Sequence, residues 1–485
     1  MNNKRFVCLL LLAAMLASAA CGSGEGAVSE DTTTGETTAA NPYADYEFPE
    51  VDWGGKDFKI LNIDTSGSCS GIVYEMTGDV LDDAFWKRNE MVEEMFNLKL
   101  VEERMLGPDL NETVRTTVLA GDDVYQVAYP RSDVIGGMAL DGLFWNLNEG
   151  DGFNFDEPWW DQAVMEDFGI GESEALYFAS SDISLHNFEM SWCLYFNRNQ
   201  LVDLQLDLPY DMVKAGKWTY DELYKYISVG HNLNGDESYT WNADGNAVYG
   251  FASMQPDSIT QMFVSCGEKY VVIDDGQPEF VAGSDKYYSV AEKLAKLFGT
   301  EGQGIFANNR AGGFHYELIF GAGRAMFAGC EIKSGDGGGA FADMTDDYGI
   351  VPLPKYDAAQ ENYVSPVAVW TYFMTVPSTN ANISDTSKIL DAMAYLSYKD
   401  VVPAYYDVTL TVKNIRDEET VEMLDIIRGA RTYLTAYAFG WGAGLRSAVG
   451  SKISSGDADL ASTIAAQKTT IEAEIKKSMD TYSAK

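Results

Sequence analysis

Residues able to do catalytic or metal chemistry are few, and they do not fall at the spacings that such chemistry needs. The three histidines, His186, His231 and His315, belong to no HExxH or other metal-binding motif. The sequence has no G-x-S-x-G nucleophile turn, and its glycine-rich run lacks the Lys of a Walker A motif. Asp346 and Asp347 are a pair that a glycosidase might use, but adjacent carboxylates are expected by chance among 74 acidic residues. The sequence therefore predicts no catalytic centre, no metal site and no cofactor.

One loop has a spacing that resembles a calcium site. Asn242, Asp244 and Asn246 alternate as calcium ligands do, but Ala247 stands where such a loop needs Gly. A polar surface loop is the favoured interpretation, and calcium binding near 232–246 stays open as an alternative.

Side chains suited to sugar binding follow several predicted strands. A sugar ring needs aromatic rings against its faces, and carboxylates or amides for its hydroxyl groups. Loops after strands line the ligand crevice in α/β folds. The candidate ligand-binding residues in such loops are Asp64, Ser68, Tyr129, Arg131, Ser132 and Asp182.

Strands and helices must position these loops. The hydrophobic periodicity of the sequence predicts strands and helices that alternate along the chain. Strands are predicted at 58–63, 98–101, 124–128, 175–179, 192–196, 349–353 and 371–376. Helices are predicted at 82–96, 110–120, 220–229, 284–298, 384–398, 418–433, 445–453 and 459–479. The alternation predicts an α/β protein with a mostly parallel sheet. A capping box starting at Thr219 predicts the beginning of the helix at 220–229.

The N-terminus has the pattern of an exported lipoprotein. Lys4 and Arg5 precede an apolar run, Phe6–Leu16, which is long enough for a signal peptide and short for a membrane span. Small residues then lead to Cys21, as in a bacterial lipobox, although Ser18 stands where Leu is most usual. We expect residues 1–20 to be the signal peptide, and 21–52 to be a lipidated Cys and a disordered tether. Plain secretory cleavage within Ala17–Ala20 is the alternative.

Charge and cysteine content narrow the possible partners. The net charge is −40, from 34 basic and 74 acidic residues, and such a surface disfavours the binding of nucleic acid.

Cys69, Cys193, Cys266 and Cys330 lie outside the predicted signal peptide and its lipidated Cys. Without a CxxC motif they are expected to be buried free thiols, although their pairing cannot be chosen from the sequence.

Several segments, in order along the chain, resemble the family 1 extracellular solute-binding proteins, in particular those of Gram-positive gut anaerobes. The matching segments are LDDAFWKRN at 81–89, PWWD at 158–161, GKWT at 216–219, GRAMF at 323–327, YGIVPLP at 348–354 and PAYYD at 403–407. The resemblance implies a two-lobe periplasmic-binding-protein fold of the type 2, venus-flytrap kind. The chain would cross between lobes near 194–197, 349–353 and 406–410. Lobe one would then comprise 53–192 plus 353–408, and lobe two 198–349 plus 411–485.

The same resemblance implies a function and further site residues. Trp441 matches an aromatic residue that stacks on sugar in the maltose-binding branch, and Glu331 stands where that branch has another Trp. Trp370 and Tyr372 lie near the predicted hinge and are further candidates, while core packing is the alternative for each Trp. The implied protein is not an enzyme. It captures a sugar or oligosaccharide as a lipid-anchored monomer outside the cell membrane and delivers it to the permease subunits of an ABC importer. A secreted carbohydrate-active enzyme, or a binding protein for peptides or other polar solutes, is the alternative.

Overall fold

The computed structural model describes residues 41–64, 71–171, 175–307, 309–310, 313–335, 341, 343–411 and 418–483. Cys21, Ser68 and Cys69 lie outside the described residues. The chain divides between Pro49 and Glu50 into two units. The described part of the first unit, 41–49, is a short run of turns that ends in extended chain.

The second unit alternates strands and helices. Its strands are β1 Lys56–Ile63, β2 Leu98–Met105, β3 Val127–Ala128, β4 Trp192–Asn197, β5 Tyr249–Ser253, β6 Val271–Asp274, β7 Gln277–Phe280, β8 Gly304–Phe306, β9 Asn309–Arg310, β10 Gly313–Phe314, β11 Ala325–Glu331, β12 Tyr348–Pro352, β13 Ser365–Pro366 and β14 Arg431–Thr432. Its α-helices are α1 Val80–Phe96, α2 Gly107–Ala120, α3 Ser132–Leu140, α4 Gln162–Phe168, α5 His186–Glu189, α6 Arg198–Asp203, α7 Tyr210–Lys214, α8 Tyr220–Ile227, α9 Asp257–Ser265, α10 Asp285–Phe298, α11 His315–Gly321, α12 Ile383–Leu396, α13 Val402–Thr411, α14 Glu418–Gly429, α15 Thr435–Ala438, α16 Ala443–Ser454 and α17 Ala461–Ser483. A π-helical turn, Ser397–Val401, joins α12 to α13.

The first sheet is parallel, with the order β2-β1-β3. β1 pairs with β2 along its whole length, and its centre pairs with β3. The helix α1 connects β1 to β2, and α2 connects β2 to β3, so the predicted alternation around a parallel sheet is confirmed. The Asp79 carboxylate begins α1 by accepting hydrogen bonds from the backbone N–H groups of Leu81 and Asp82. Asn97 ends α1 in the left-handed conformation, with φ 50°.

Two of the predicted strands are wrong. The segments 175–179 and 371–376 form isolated bridges, such as Ala128 with Thr375 and Ala179 with Met374, in place of continuous strands. Both segments are apolar and largely buried, and buried irregular chain has the same composition as a buried strand. The bridges nevertheless bring 371–376 to the carboxyl ends of the first sheet, beside β3.

The second sheet is mixed, with the order β12-β4-β11-β5-β8. β4 pairs antiparallel with both β12 and β11, while β11, β5 and β8 run parallel to one another. The predicted strands 192–196 and 349–353 correspond to β4 and β12. The predicted third crossing, 406–410, lies within the helix α13.

Helix ends were predicted with mixed success. The Thr219 hydroxyl caps α8 by accepting from the backbone N–H of Glu222 at 3.4 Å, as the capping box predicts. The helix predicted at 418–433 ends at Gly429, because Arg431 and Thr432 pair with β13 instead. Within the ranges described above, no helix combines the length and the apolar character needed to cross a membrane.

Separate hydrophobic cores pack against the two sheets. The first contains Leu61, Val114 and Phe178, and the larger one, beside the second sheet, contains Trp218 and Phe327. Cys193, Cys266 and Cys330 are buried and form no disulfide, as predicted.

Candidate functional site

A small polar pocket lies at the carboxyl ends of the first sheet. Tyr129 directly follows β3, and Tyr372 lies on the bridged segment beside it, with Arg131 as its bridge partner. His186 and Asn187 reach the pocket from the start of α5. The lining residues are Tyr129, Ala179, Ser180, Ser181, Ser184, His186, Asn187, Tyr372 and Met374. The pocket thus offers hydroxyl, imidazole and amide groups beside an aromatic ring.

His186 enters this pocket as a neutral imidazole. Burial, together with the charge of Lys333, lowers its pKa to about 3. Its ring lies against the Tyr372 ring, with centroids 5.1 Å apart. At neutral pH the imidazole therefore has one donor nitrogen and one acceptor nitrogen. Sequence reasoning missed His186, because it searched the histidines for metal spacings alone.

Arginine–carboxylate pairs flank the pocket. Arg131 precedes α3, and its guanidinium Nε donates to the Asp133 carboxylate at 2.7 Å. Arg446 is paired with Asp257 at the beginning of α9, and its guanidinium lies 4.8 Å from the centroid of the Tyr437 ring. Burial raises the pKa of the Tyr437 hydroxyl, and both ion pairs are close enough to act on that pKa. Tyr437 therefore marks the place where the two ion pairs approach each other.

Further aromatic and acidic groups extend this region. The Trp370 and Tyr437 rings meet edge to face at 6.4 Å. Glu331 ends β11. Burial raises the pKa of its carboxyl to about 7, opposed by a backbone hydrogen bond and aided by the charges of Glu317 and Asp257. Since Lys333, just after β11, acts on the pKa of His186, the end of β11 adjoins the first sheet's pocket. The predicted residues Tyr129, Arg131, Trp370, Tyr372 and Glu331 thus lie in one region.

A larger groove of about 620 Å³ adjoins this region at Asp133. It lies between α2, α3, the 438–441 turn and α17, and Arg115, Phe439 and Glu474 are among its lining residues. The volume is in the range of small-molecule binding sites. Phe439 is half-buried and lies flat on Trp441, with ring centroids 4.8 Å apart and an interplanar angle of 17°.

The remaining predicted site residues have other surroundings. Asp64 is exposed at the end of β1. Ser132 is buried, and its hydroxyl donates to the Val369 carbonyl, which ties α3 to the segment before Trp370. Ser68 lies outside the described residues.

Asp182 and Trp441 are engaged in contacts within the protein. Both Asp182 oxygens accept from one Arg428 nitrogen, at 2.6 and 2.7 Å, and the carboxylate is buried. Burial raises the pKa of Asp182 to about 6, although the charge of Arg428 opposes that shift. Trp441 is 1% exposed, and its indole N–H donates to the Ser478 hydroxyl at 3.0 Å. Asp182 therefore fits a packing role, and Trp441, although it lines the 620 Å³ groove, exposes too little surface to stack on a sugar ring.

The loop with calcium-like spacing is held by one carboxylate. Asp236 accepts from the backbone N–H groups of Asn246 and Ala247, both at 2.7 Å. The Arg324 guanidinium donates to the Asn242 carbonyl at 2.8 Å and lies over Trp241. Among the described residues, no group of three His, Cys, Asp or Glu side chains could hold a metal ion.

Comparisons with solved structures identify the fold. UspC of M. tuberculosis is similar with a TM-score of 0.55 at 14% identity, over 86% of this chain and 100% of that one. A cyclo/maltodextrin-binding protein is similar with a TM-score of 0.53 at 13% identity, and the match covers 89% of this chain and 97% of that protein. The ABC substrate-binding protein Lmo0181 of Listeria monocytogenes is similar with a TM-score of 0.50 at 12% identity, and the match covers 88% of this chain and 97% of that protein. The chain has the two-lobe periplasmic-binding-protein fold.

No protein-family model and no curated protein matches the sequence. At identities of 12–14% the two-lobe fold is shared while nearly all side chains differ. In this two-lobe fold the polar pocket lies at the carboxyl ends of strands, where α/β sheets bind ligands. The identity of the ligand therefore has to be inferred from the side chains of this chain.

Proposed function

We propose that this protein is the extracellular solute-binding component of an ABC importer, and that it captures a sugar or oligosaccharide. The observation that carries the proposal is the set of neutral hydrogen-bonding groups and aromatic rings around Tyr129, His186 and Tyr372, in a chain with the two-lobe fold. Hydroxyl, amide and imidazole groups match sugar hydroxyl groups, while Tyr372 and Trp370 can cover sugar faces. The lobes comprise 53–192 plus 353–408, and 198–349 plus 411–485.

The ligands of similar proteins support a carbohydrate. The cyclo/maltodextrin-binding protein is complexed with maltotetraose, and the Listeria protein with cycloalternan. Both ligands are oligosaccharides, and the 620 Å³ groove beside Asp133 gives such a chain room to extend beyond the polar pocket.

Three carboxylates near the candidate site are bound in ion pairs. Asp133, Asp182 and Asp257 are each bound to an arginine. A carboxylate held by a guanidinium is a poor proton carrier, because proton transfer would break the ion pair. We infer that the protein is not an enzyme, and prolonged incubation with oligosaccharides should leave them intact.

The N-terminal sequence supports a place at the cell surface. Cys21 follows a basic segment, an apolar run and small residues, and we propose that it is diacylated and anchors a monomer to the outer face of the membrane. The protein then delivers its ligand to the permease subunits of the importer, as the resemblance to proteins of Gram-positive gut anaerobes implies. Mass spectrometry of the native N-terminus tests the anchor. A mature chain without lipid, starting elsewhere than Cys21, would refute it.

A thermal-shift screen tests the function. The panel contains maltotetraose, cycloalternan, shorter sugars, sugar phosphates and peptides. A ligand present at 100 times its dissociation constant adds about 2.7 kcal/mol to the free energy of unfolding. We expect a neutral sugar to raise the melting temperature. Stabilisation by peptides and by none of the sugars would contradict the carbohydrate proposal.

A further inference from the structure

Two buried polar side chains beside the candidate site have no hydrogen-bond partner among the described residues. They are the indole N–H of Trp192 and both amide atoms of Gln261. Trp192 is 1% exposed and Gln261 is fully buried. Leaving such groups without a partner costs free energy, and native proteins rarely do so. What distinguishes these two side chains is their position in the fold.

Trp192 lies directly opposite a carboxylate. It begins β4 and is the antiparallel partner of Glu331, which ends β11. Side chains of directly opposite residues lie on the same face of a sheet, with Cβ atoms about 4.5–5.5 Å apart. Glu331 is buried and forms no ion pair within the part of the chain that the structure describes. An indole and a carboxylate thus leave the same face of the second sheet at neighbouring positions.

Gln261 lies on the helix face that turns toward the same region. It is one turn after Asp257 on α9, and residues four apart share a helix face. Asp257 acts on the pKa of Glu331, which places this part of α9 near the end of β11. Val264, three residues after Gln261, belongs to a cluster against which Trp370 and Tyr437 pack. The buried amide therefore lies on the part of α9 that packs near the Trp370 and Tyr437 rings of the candidate site.

We propose that Trp192, Gln261 and Glu331 form a subsite for adjacent hydroxyl groups of a neutral, polyhydroxylated ligand. The proposal rests on the proposed function and adds a subsite that the polar pocket does not include. The Trp192 indole N–H donates to one hydroxyl oxygen, and Glu331 accepts a hydrogen bond from the neighbouring hydroxyl. The Gln261 amide both donates and accepts. Because each hydroxyl group can donate and accept, a vicinal diol satisfies all three side chains at once.

The ligand-free protein supplies the first test, through Trp192→Phe and Gln261→Leu. Each substitution removes buried polar atoms that lack a partner while retaining most of the side-chain volume, so the melting temperature should stay unchanged or rise. The matched control is Trp218→Phe, because Trp218 is equally buried and its indole N–H donates to the Pro352 carbonyl at 3.1 Å. The control should lower the melting temperature. A loss in Trp192→Phe as large as that in the control would overturn the proposal.

Calorimetric titration supplies the second test. The probe is maltotetraose, or the sugar of the screening panel that stabilises the wild-type protein most. Trp192→Phe and Gln261→Leu should each weaken binding about five- to tenfold, since one or more hydrogen bonds to the ligand are lost. Trp218→Phe should bind as the wild type does. Wild-type affinity in both subsite variants would overturn the proposal. If no sugar stabilises the wild type, the carbohydrate function fails, and the ligand-free melting temperatures still decide between a structural and a ligand-binding role.

Discussion

Replacing Glu331 by Gln should remove a pH-dependent penalty from the stability of the protein. The Glu331 side chain is buried, and no cation forms an ion pair with it among the described residues. Burial is the main cause that raises its pKa from 4.5 to about 7, with contributions from Glu317 and Asp257. A glutamine has almost the same shape and is uncharged at every pH, so Glu331→Gln isolates the cost of the buried charge.

The size and the sign of the effect follow from proton linkage. Because the pKa is higher in the folded protein than in the unfolded chain, the folded protein binds more protons between pH 4.5 and 7. The free energy of unfolding therefore falls as the pH rises through this window, and stays low above it. One pKa unit corresponds to about 1.4 kcal/mol, so the penalty reaches about 3 kcal/mol. Glu331→Gln should be more stable than the wild type by up to that amount at pH 8, and equally stable near pH 4.5.

Urea denaturation of both proteins at pH 4.5, 6, 7 and 8 measures this difference. Comparing the two proteins at each pH cancels the contributions of the other acidic residues. The control is Glu94→Gln, at an exposed position on α1, for which the difference should stay within about 0.5 kcal/mol at every pH. A difference between Glu331→Gln and the wild type that does not change from pH 4.5 to pH 8 would refute the reasoning.

Two further predictions concern residues whose side chains are bound within the protein. Asp182→Asn should lower the free energy of unfolding, because it leaves the Arg428 guanidinium without its buried counter-ion, but by less than the about 3–5 kcal/mol of a fully broken pair, because it also removes a carboxylate whose pKa burial raises to about 6. Urea denaturation at pH 7.5 measures this loss, and wild-type stability would contradict it. Trp441→Ala should cost about 3–5 kcal/mol through the cavity that it creates, with sugar affinity unchanged in calorimetric titration. A roughly thirtyfold weaker affinity at wild-type stability would instead support a ligand contact by Trp441.

The parallel sheet could be predicted from the sequence because its signals are local. The apolar run of β1 and the spacing along α1 each lie within one segment, and Asp79 marks the helix start. Buried extended chain at 175–179 has the same apolar composition as a strand, so composition could not show that it pairs only through single bridges. Whether buried chain forms a strand depends on which neighbours it meets, and that information lies elsewhere in the sequence.

The sequence could place candidate-site residues where they directly follow a strand. Tyr129 and Arg131 lie after β3, so the rule that ligands bind after strand ends selects both as candidates. Asp182 follows a segment, 175–179, that was predicted as a strand but forms only single bridges, and its ion-pair partner Arg428 lies 246 residues later, where no local pattern indicates it. Gln261 could not be predicted as a site residue from the sequence. A glutamine in a helix is usually exposed, and only the structure shows that this one is buried without a hydrogen-bond partner.

The charges near the candidate site favour a neutral ligand over an anionic one. Arg131 binds Asp133 and Arg446 binds Asp257, so these ions are already paired within the protein. The imidazole of His186 is neutral, since burial lowers its pKa to about 3. An anionic solute would have to displace one of these partners or bring its charge near the buried Glu331 carboxylate, and both are costly. A neutral polyol only exchanges hydrogen bonds with water for hydrogen bonds with the protein. A sugar phosphate that binds more tightly than its parent sugar in the thermal-shift screen would contradict this inference.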